Sequence, residues 1–225
     1  MANNNCWSSS TNFHLPPVYI ASNEVQANHL ISKYFPRGSV IGFDIEWKPS
    51  GWPPGAKPHP DNGLPALVQL ALPNVVVIVQ LLHCQPRWPI LPHALKTLLD
   101  DANTVFIGVQ VHDDVALLTN GCPIAARCLD LHWCAFRSGL FGKQSNTQMG
   151  LAKLTLLLGG PELKKPKTVK LSNWASKSLT YKQQNYAALD AYAGGWIAAR
   201  LWQSIATTIP FSEWIVAESH LPLQK

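Results

Sequence analysis

Residues 41–52 read "IGFDIEWKPSGW". The run opens as a buried strand, with Ile41, Phe43, Ile45 and Trp47 supplying apolar bulk. Inside it sit two carboxylates, Asp44 and Glu46, one residue apart. Side chains alternate along a strand, so both acids point to one face. Two neighbouring acids repel, and burying either as an ion is costly. Two readings resolve the conflict. Lys or Arg partners could pair with the acids near a strand end, or a hard divalent cation such as Mg²⁺ could bind their oxygens.

Outward from this stretch, the chain alternates between elements and breakers. "VYIAS" from Val18 is expected to be a short strand, and Ser22 to cap a helix through Tyr34 whose apolar face is Val25, Leu30, Ile31 and Tyr34. Pro36 and Gly38 stop that helix, and Ser39–Trp47 is the acid-bearing strand. Pro49–Pro65 holds six prolines and three glycines and reads as a loop. "ALVQLALP" and "VVVIVQLL" follow as two strands separated by a Pro-Asn turn, giving an antiparallel meander. The second half changes rhythm. Helix is expected over Pro89–Leu99, strand over Thr104–Gly108, helix from Asp113 to Leu118, and a short strand at "CLDLH" from Cys128. Helices over Gly150–Leu158 and Thr180–Ser204 complete the chain. Strands alternating with helices add parallel strands to the meander, so the fold class is a mixed α/β sheet with helices on both faces.

The bulk numbers set bounds. The 225 residues fit one large domain better than two small ones, and 47% hydrophobic content allows a substantial core. Met1–Pro17 is expected to be disordered or loosely attached. No apolar run is long enough to span a bilayer, so no membrane is expected. The five cysteines form no CxxC pair, and Met1–Thr11 is polar, which points to free thiols in a reducing, intracellular compartment. The spacing of Cys122, Cys128, His132 and Cys134 does not suit the usual zinc knuckles. A net charge of +5 is compatible with an anionic partner.

Further acids stand at informative places. "FIGVQVHDDVALL" puts Asp113 and Asp114 at a strand-to-helix junction, where acids also favour a helix N-terminus. "NYAALDAYAGGW" puts Tyr186 and Asp190 four residues apart, on one helical face among small apolar residues. An aspartate in such surroundings lacks a structural reason of its own, whereas Tyr186 alone would pass for a core tyrosine.

Together "FDIEW", the strand-to-helix aspartate and "YAALDAY" resemble the tyrosine subgroup of the DEDD superfamily of 3′–5′ exonucleases. The stretch from "LAKLTLLLGG" through "SNWASKSLTYKQQNYAALDAYAGGWIAARLW" is similar to the exonuclease domain of the Werner syndrome protein and its stand-alone relatives, and the likeness covers about Val18 to Trp202. The resemblance implies a ribonuclease-H-like fold and an exonuclease domain over residues 18–225. It implies two divalent cations, Mg²⁺ or Mn²⁺, about 3.5–4 Å apart, that stabilise the attacking and leaving oxygens of an in-line displacement at phosphorus. Asp44 would bridge both ions, Glu46 and Asp190 would complete one site, and the second-motif aspartate would serve the other. Tyr186 would orient the attacking water, and nucleoside monophosphates would leave from the 3′ end of DNA or RNA. The family frame Gly-Val-x-hydrophobic-x-x-Asp, counted from Gly108, lands on Asp114, leaving Asp113 as the helix-start acid. With Asp44, Glu46, Asp114 and Asp190 set aside, nine acids face 18 basic residues, and the remaining surface carries about +9.

Substrate contacts are expected from Ile45 and Trp47 beside the acids, from Trp52 and Lys57 in the proline-rich loop, and from Lys164, Lys165 and Lys167, with Lys170 nearby. Each has a plain alternative: a core tryptophan, a surface loop, a solvated lysine run. "KKPK" at 164–167 resembles a nuclear import signal and favours nucleus over cytoplasm. No GxxxxGK[ST] motif occurs, so unwinding would come from a separate helicase or polymerase partner. The contrasting function is a nucleic-acid-binding or scaffold protein that keeps the exonuclease fold with weak catalysis.

Overall fold

The computed structural model describes Trp7 and residues 13–48, 63–84, 88–142 and 149–205. Six strands form one mixed sheet in the order β1-β4-β3-β2-β5-β6. The central meander is as expected. β2 (Val40–Trp47) pairs antiparallel with β3 (Pro65–Leu72), and β3 pairs antiparallel with β4 (Val75–Gln80) across the Pro73-Asn74 turn. β5 (Val105–Gly108) adds parallel to β2, and β6 (Arg127–Asp130) adds parallel to β5. At the opposite edge β1 (Val18–Ala21) runs parallel to β4, a pairing that the local pattern did not disclose.

Helices cover both faces. α1 (Glu24–Tyr34), α2 (His93–Leu99) and α3 (Val111–Leu118) bury Ile41, Phe43 and Ile45 of β2 with Val68, Leu70 and Phe106. α4 (Leu131–Ser138), α5 (Leu151–Leu157), the single-turn α6 (Lys167–Lys170) and α7 (Tyr181–Ile205) cover the other face. No described helix is long and apolar enough to cross a membrane.

Several boundaries differ from the sequence expectation for physical reasons. Asn23 rather than Ser22 caps α1, its side chain accepting from Gln26 N, while Ser22 Oγ donates to Gln80. Val25 is exposed, and Ala27 and Ile31 are the buried residues of that helix. α2 starts at His93, not Pro89, because Pro92 disfavours helical backbone at Leu91. The "CLDLH" strand ends at Asp130, whose carboxylate accepts from His132 N and starts α4. Lys167–Lys170, for which the sequence pattern disclosed no element, winds into one turn. Within the N-terminal stretch expected to be loosely attached, Trp7, Phe13 and Leu15 pack on the α7-side core, and Trp7 Nε1 donates to Val40 O.

One contact sets the height of α7 above the sheet. Gly42 lies on the acid-bearing face of β2, and a Cβ added there would stand 2.1 Å from Ala191 O. Helix backbone and strand backbone therefore touch directly, which only glycine permits. Gly42→Ala is expected to cost about 3 kcal/mol or more, since a backbone oxygen cannot move aside as a side chain does. Gly150→Ala, where an added methyl meets nothing within 4 Å, should stay within about 1 kcal/mol. Denaturant unfolding of both variants checks this, and equal stability would contradict the contact.

Candidate active site

The strand and helix that meet at Gly42 bring the acids together. Asp44 and Glu46 follow Gly42 on the same face of β2, and Asp190 precedes Ala191 on α7. Carboxylate oxygens of Asp44, Glu46 and Asp190 lie within 4.8 Å of one another. They line a cleft of about 300 Å³, whose wall also includes Trp47, Gln110, Asp114, Lys165, Lys170, Leu171 and Tyr186. Tyr186 and Asp190 lie one helical turn apart on α7, and Trp174 packs 5.8 Å from the tyrosine ring.

Asp114 enters from the other side of the sheet. α3 begins after Gln110, which adopts a left-handed φ of 60° and donates its N–H to Asp130 Oδ2. That turn sets Asp114 on the cleft wall, whereas Asp113 points to solvent and does not line it. Asp130 was not singled out by sequence reasoning. It serves as a strut, holding both the Gln110 turn and the start of α4.

The cluster is electrostatically strained. Burial first, then Asp190, Glu46 and Asp114, hold Asp44 well above the usual carboxylate range. Glu46 is pushed up to about 8, mainly by burial and then by Asp190, with Lys165 and Lys170 opposing. Asp114 rises to about 7 through burial, with Asp113 and Asp130 adding to it. Lys165 Nζ donates to Asp190 Oδ2 at 2.8 Å, yet burial still raises Asp190. Burial followed by Asp190, Glu46 and Asp44 raises the Tyr186 phenol, so it stays protonated and available as a donor. A close set of hard oxygen donors without enough positive charge fits a divalent cation.

The other expected residues divide. Trp47 is half-exposed at the cleft rim, which rules out the core reading. Ile45 lines the cleft, but its side chain is buried in the opposite core, so only its backbone can face substrate. Of the lysine run, Lys165 and Lys170 reach the cleft, whereas Lys164 and Lys167 do not line it. Trp52 and Lys57 lie outside the described residues. Among the described residues Cys122, Cys128 and Cys134 form no disulfide, and only Asp44, Glu46 and Asp190 form a group able to hold a metal.

The family model described as "3′-5′ exonuclease" matches residues 18–206. The chain belongs to the 3′–5′ exonuclease family. It is similar to a 3′-5′ exonuclease of Arabidopsis thaliana, 30% identical over 156 residues, covering 69% of this chain and 50% of the relative. It is also similar to the mouse bifunctional 3′-5′ exonuclease/ATP-dependent helicase WRN, 30% identical over 194 residues, covering 86% of this chain and 13% of the relative. The chain thus spans half the length of the plant protein and a small part of the mouse one. The fold matches the EXO domain of Aedes aegypti Nibbler with a TM-score of 0.68 at 21% identity, covering 89% of this chain and 94% of that one. It also matches Escherichia coli RNase D with a TM-score of 0.65 at 18% identity, covering 90% and 49%. The ribonuclease-H-like sheet expected from the sequence is the one observed.

The raised acids make stability depend on pH. The folded exonuclease domain holds Glu46 protonated to about pH 8, while the unfolded chain releases that proton near 4.5. The stabilisation is complete below the unfolded value and is lost as pH rises toward the folded one; Asp114 adds the same trend toward about 7. In EDTA, the melting temperature should fall between about pH 5 and about pH 8.5. Glu46→Gln should flatten the fall, and Lys165→Met should steepen it. A flat or rising profile would contradict the buried cluster.

Proposed function

We propose that this protein is a divalent-cation-dependent 3′–5′ exonuclease that hydrolyses the terminal phosphodiester of a DNA or RNA 3′ end and releases nucleoside monophosphates. The observation that carries the reading is the convergence of Asp44, Glu46 and Asp190 within 4.8 Å in an open cleft, in a member of this family. Two cations, Mg²⁺ or Mn²⁺, when bound would stabilise the attacking and leaving oxygens of an in-line displacement. Asp44, Glu46 and Asp190 would hold one ion, and Asp44 with Asp114 would serve the other.

The chain's own residues do the rest. Tyr186, kept protonated by burial and then by its acid neighbours, donates a hydrogen bond that orients the attacking water. The water oxygen gives up a proton as it bonds to phosphorus, the bond to the preceding nucleotide's 3′ oxygen breaks, and that oxygen takes up a proton as it leaves, so the proton lost by the water balances the one gained by the leaving group. Lys165, the ion-pair partner of Asp190, would be free to offer its ammonium to the substrate phosphates were a bound cation to take its place, and Lys170 adds charge at the same wall. Trp47 presents an aromatic face at the rim on which a terminal base can stack. A separate helicase or polymerase is the proposed source of unwinding and processivity, and the nucleus is the proposed compartment.

A 5′-labelled oligonucleotide incubated with Mg²⁺ or Mn²⁺ should shorten stepwise from its 3′ end, and EDTA should stop it. Asp44→Asn and Asp114→Asn should each lower the rate at least about 100-fold, more than the loss of an outer-shell partner commonly costs. Asp113→Asn should keep most of the rate. Tight binding of the oligonucleotide without cleavage would sink the proposal, and loss of activity in Asp113→Asn but not Asp114→Asn would reverse the assignment of the second acid.

A further inference from the structure

Three glutamines are buried among the described residues: Gln69, Gln80 and Gln183. Two are fully engaged. Gln80 donates to Ser176 O and Lys177 O and accepts from Ser22 Oγ. Gln183 donates to Ser172 Oγ and Asn173 O and accepts from Thr180. Gln69 differs. It is 0% exposed, and neither its amide oxygen nor its amide nitrogen has a hydrogen-bond partner. Leaving a buried polar group unpartnered costs its full desolvation, and such orphans in folded proteins call for a specific explanation. Every other residue of β3, "PALVQLAL", is apolar and buried, so an apolar side chain would suit this position at no such cost.

The register supplies the explanation. Gln69 stands directly opposite Asp44 in the antiparallel β2–β3 pair, so the two side chains share the face covered by α7. Its neighbour on the other side is Ile78 of β4. Along β2 its diagonal neighbours on that face are Glu46 and Gly42. Directly opposite residues have Cβ atoms about 4.5–5.5 Å apart, which brings a glutamine amide within reach of an aspartate carboxylate. Gln69 does not line the cleft; it lies beside Asp44 on the neighbouring strand.

We propose that Gln69 is the positioning residue for Asp44, its amide N–H donating to an Asp44 carboxylate oxygen and fixing the orientation of that carboxylate toward the cations. The inference rests on the reading of the acid cluster as a cation site. Partners behind a metal ligand fix its orientation, and losing one commonly costs about 10–100-fold in metal affinity. The Gln69 amide thus makes no hydrogen bond in the cation-free fold, and its benefit falls to the loaded site.

Gln69→Met keeps the length of the side chain and removes both polar atoms; Gln69→Leu is a second apolar variant. Melting in EDTA and Mn²⁺ binding by calorimetry are measured on the full chain. The expected result for either variant is a melting temperature equal to or above that of the unsubstituted protein, with Mn²⁺ affinity about 10-fold weaker or worse. Unchanged Mn²⁺ affinity overturns the inference. So does affinity lost only together with a lowered melting temperature, or failure of both variants to fold in EDTA, because each would make Gln69 a packing residue. An unsubstituted protein that binds no Mn²⁺ overturns the cation site itself, and the role of Gln69 with it.

Discussion

The candidate active site depends on the direct meeting of two backbones, α7 over β2, at Gly42. With no side chain between them, the Ala191 carbonyl sits where a Cβ would be. Two consequences follow from this one approach. Asp190 is carried down to the level of the strand, and Asp44 and Glu46, the next residues on the same face, are carried under the helix. Small residues on α7 extend the close packing: Gly194 lies above Ile107 of β5, and Gly195 lies against Trp7. A longer side chain at Gly42 would lift the helix and separate the third acid from the first two.

Close packing creates an electrostatic cost that the rest of the site is arranged to offset. Three carboxylates share one desolvated face, and a fourth approaches from α3. Burial outweighs every nearby positive charge, so all four are held above their ordinary range. Lys165 is the ion-pair partner of Asp190, a tethered cation among the carboxylates. The stability given up here is recovered elsewhere, in a sheet whose central strands are buried on both faces and whose two apolar clusters join nearly every element. A site of this kind is less stable empty than filled, which couples cation binding to folding.

Much of this was legible in the sequence. The meander could be read because strand patterning and the Pro-Asn turn agree, and Asp44 with Glu46 because a period of two places them on one face. Asp190 could be read as anomalous because its helical neighbours are small and apolar. What escaped had physical reasons. α4 was hidden because Trp133 and Phe136 leave it with exposed apolar residues and a blurred face. Which lysine of the 164–170 run reaches the cleft depends on the path of a segment with no periodicity. Gln69 was invisible because its meaning lies in cross-strand register, which a single strand does not specify. Asp130 was overlooked because its role is to brace a turn that displays another residue.

The most direct measurement is the anomalous scattering of a crystal of this protein soaked in Mn²⁺. A manganese peak coordinated by Asp44, Glu46 and Asp190, with the Lys165 ammonium moved off Asp190, is the predicted result. The absence of manganese from these carboxylates, with Lys165 still bound to Asp190, would contradict it.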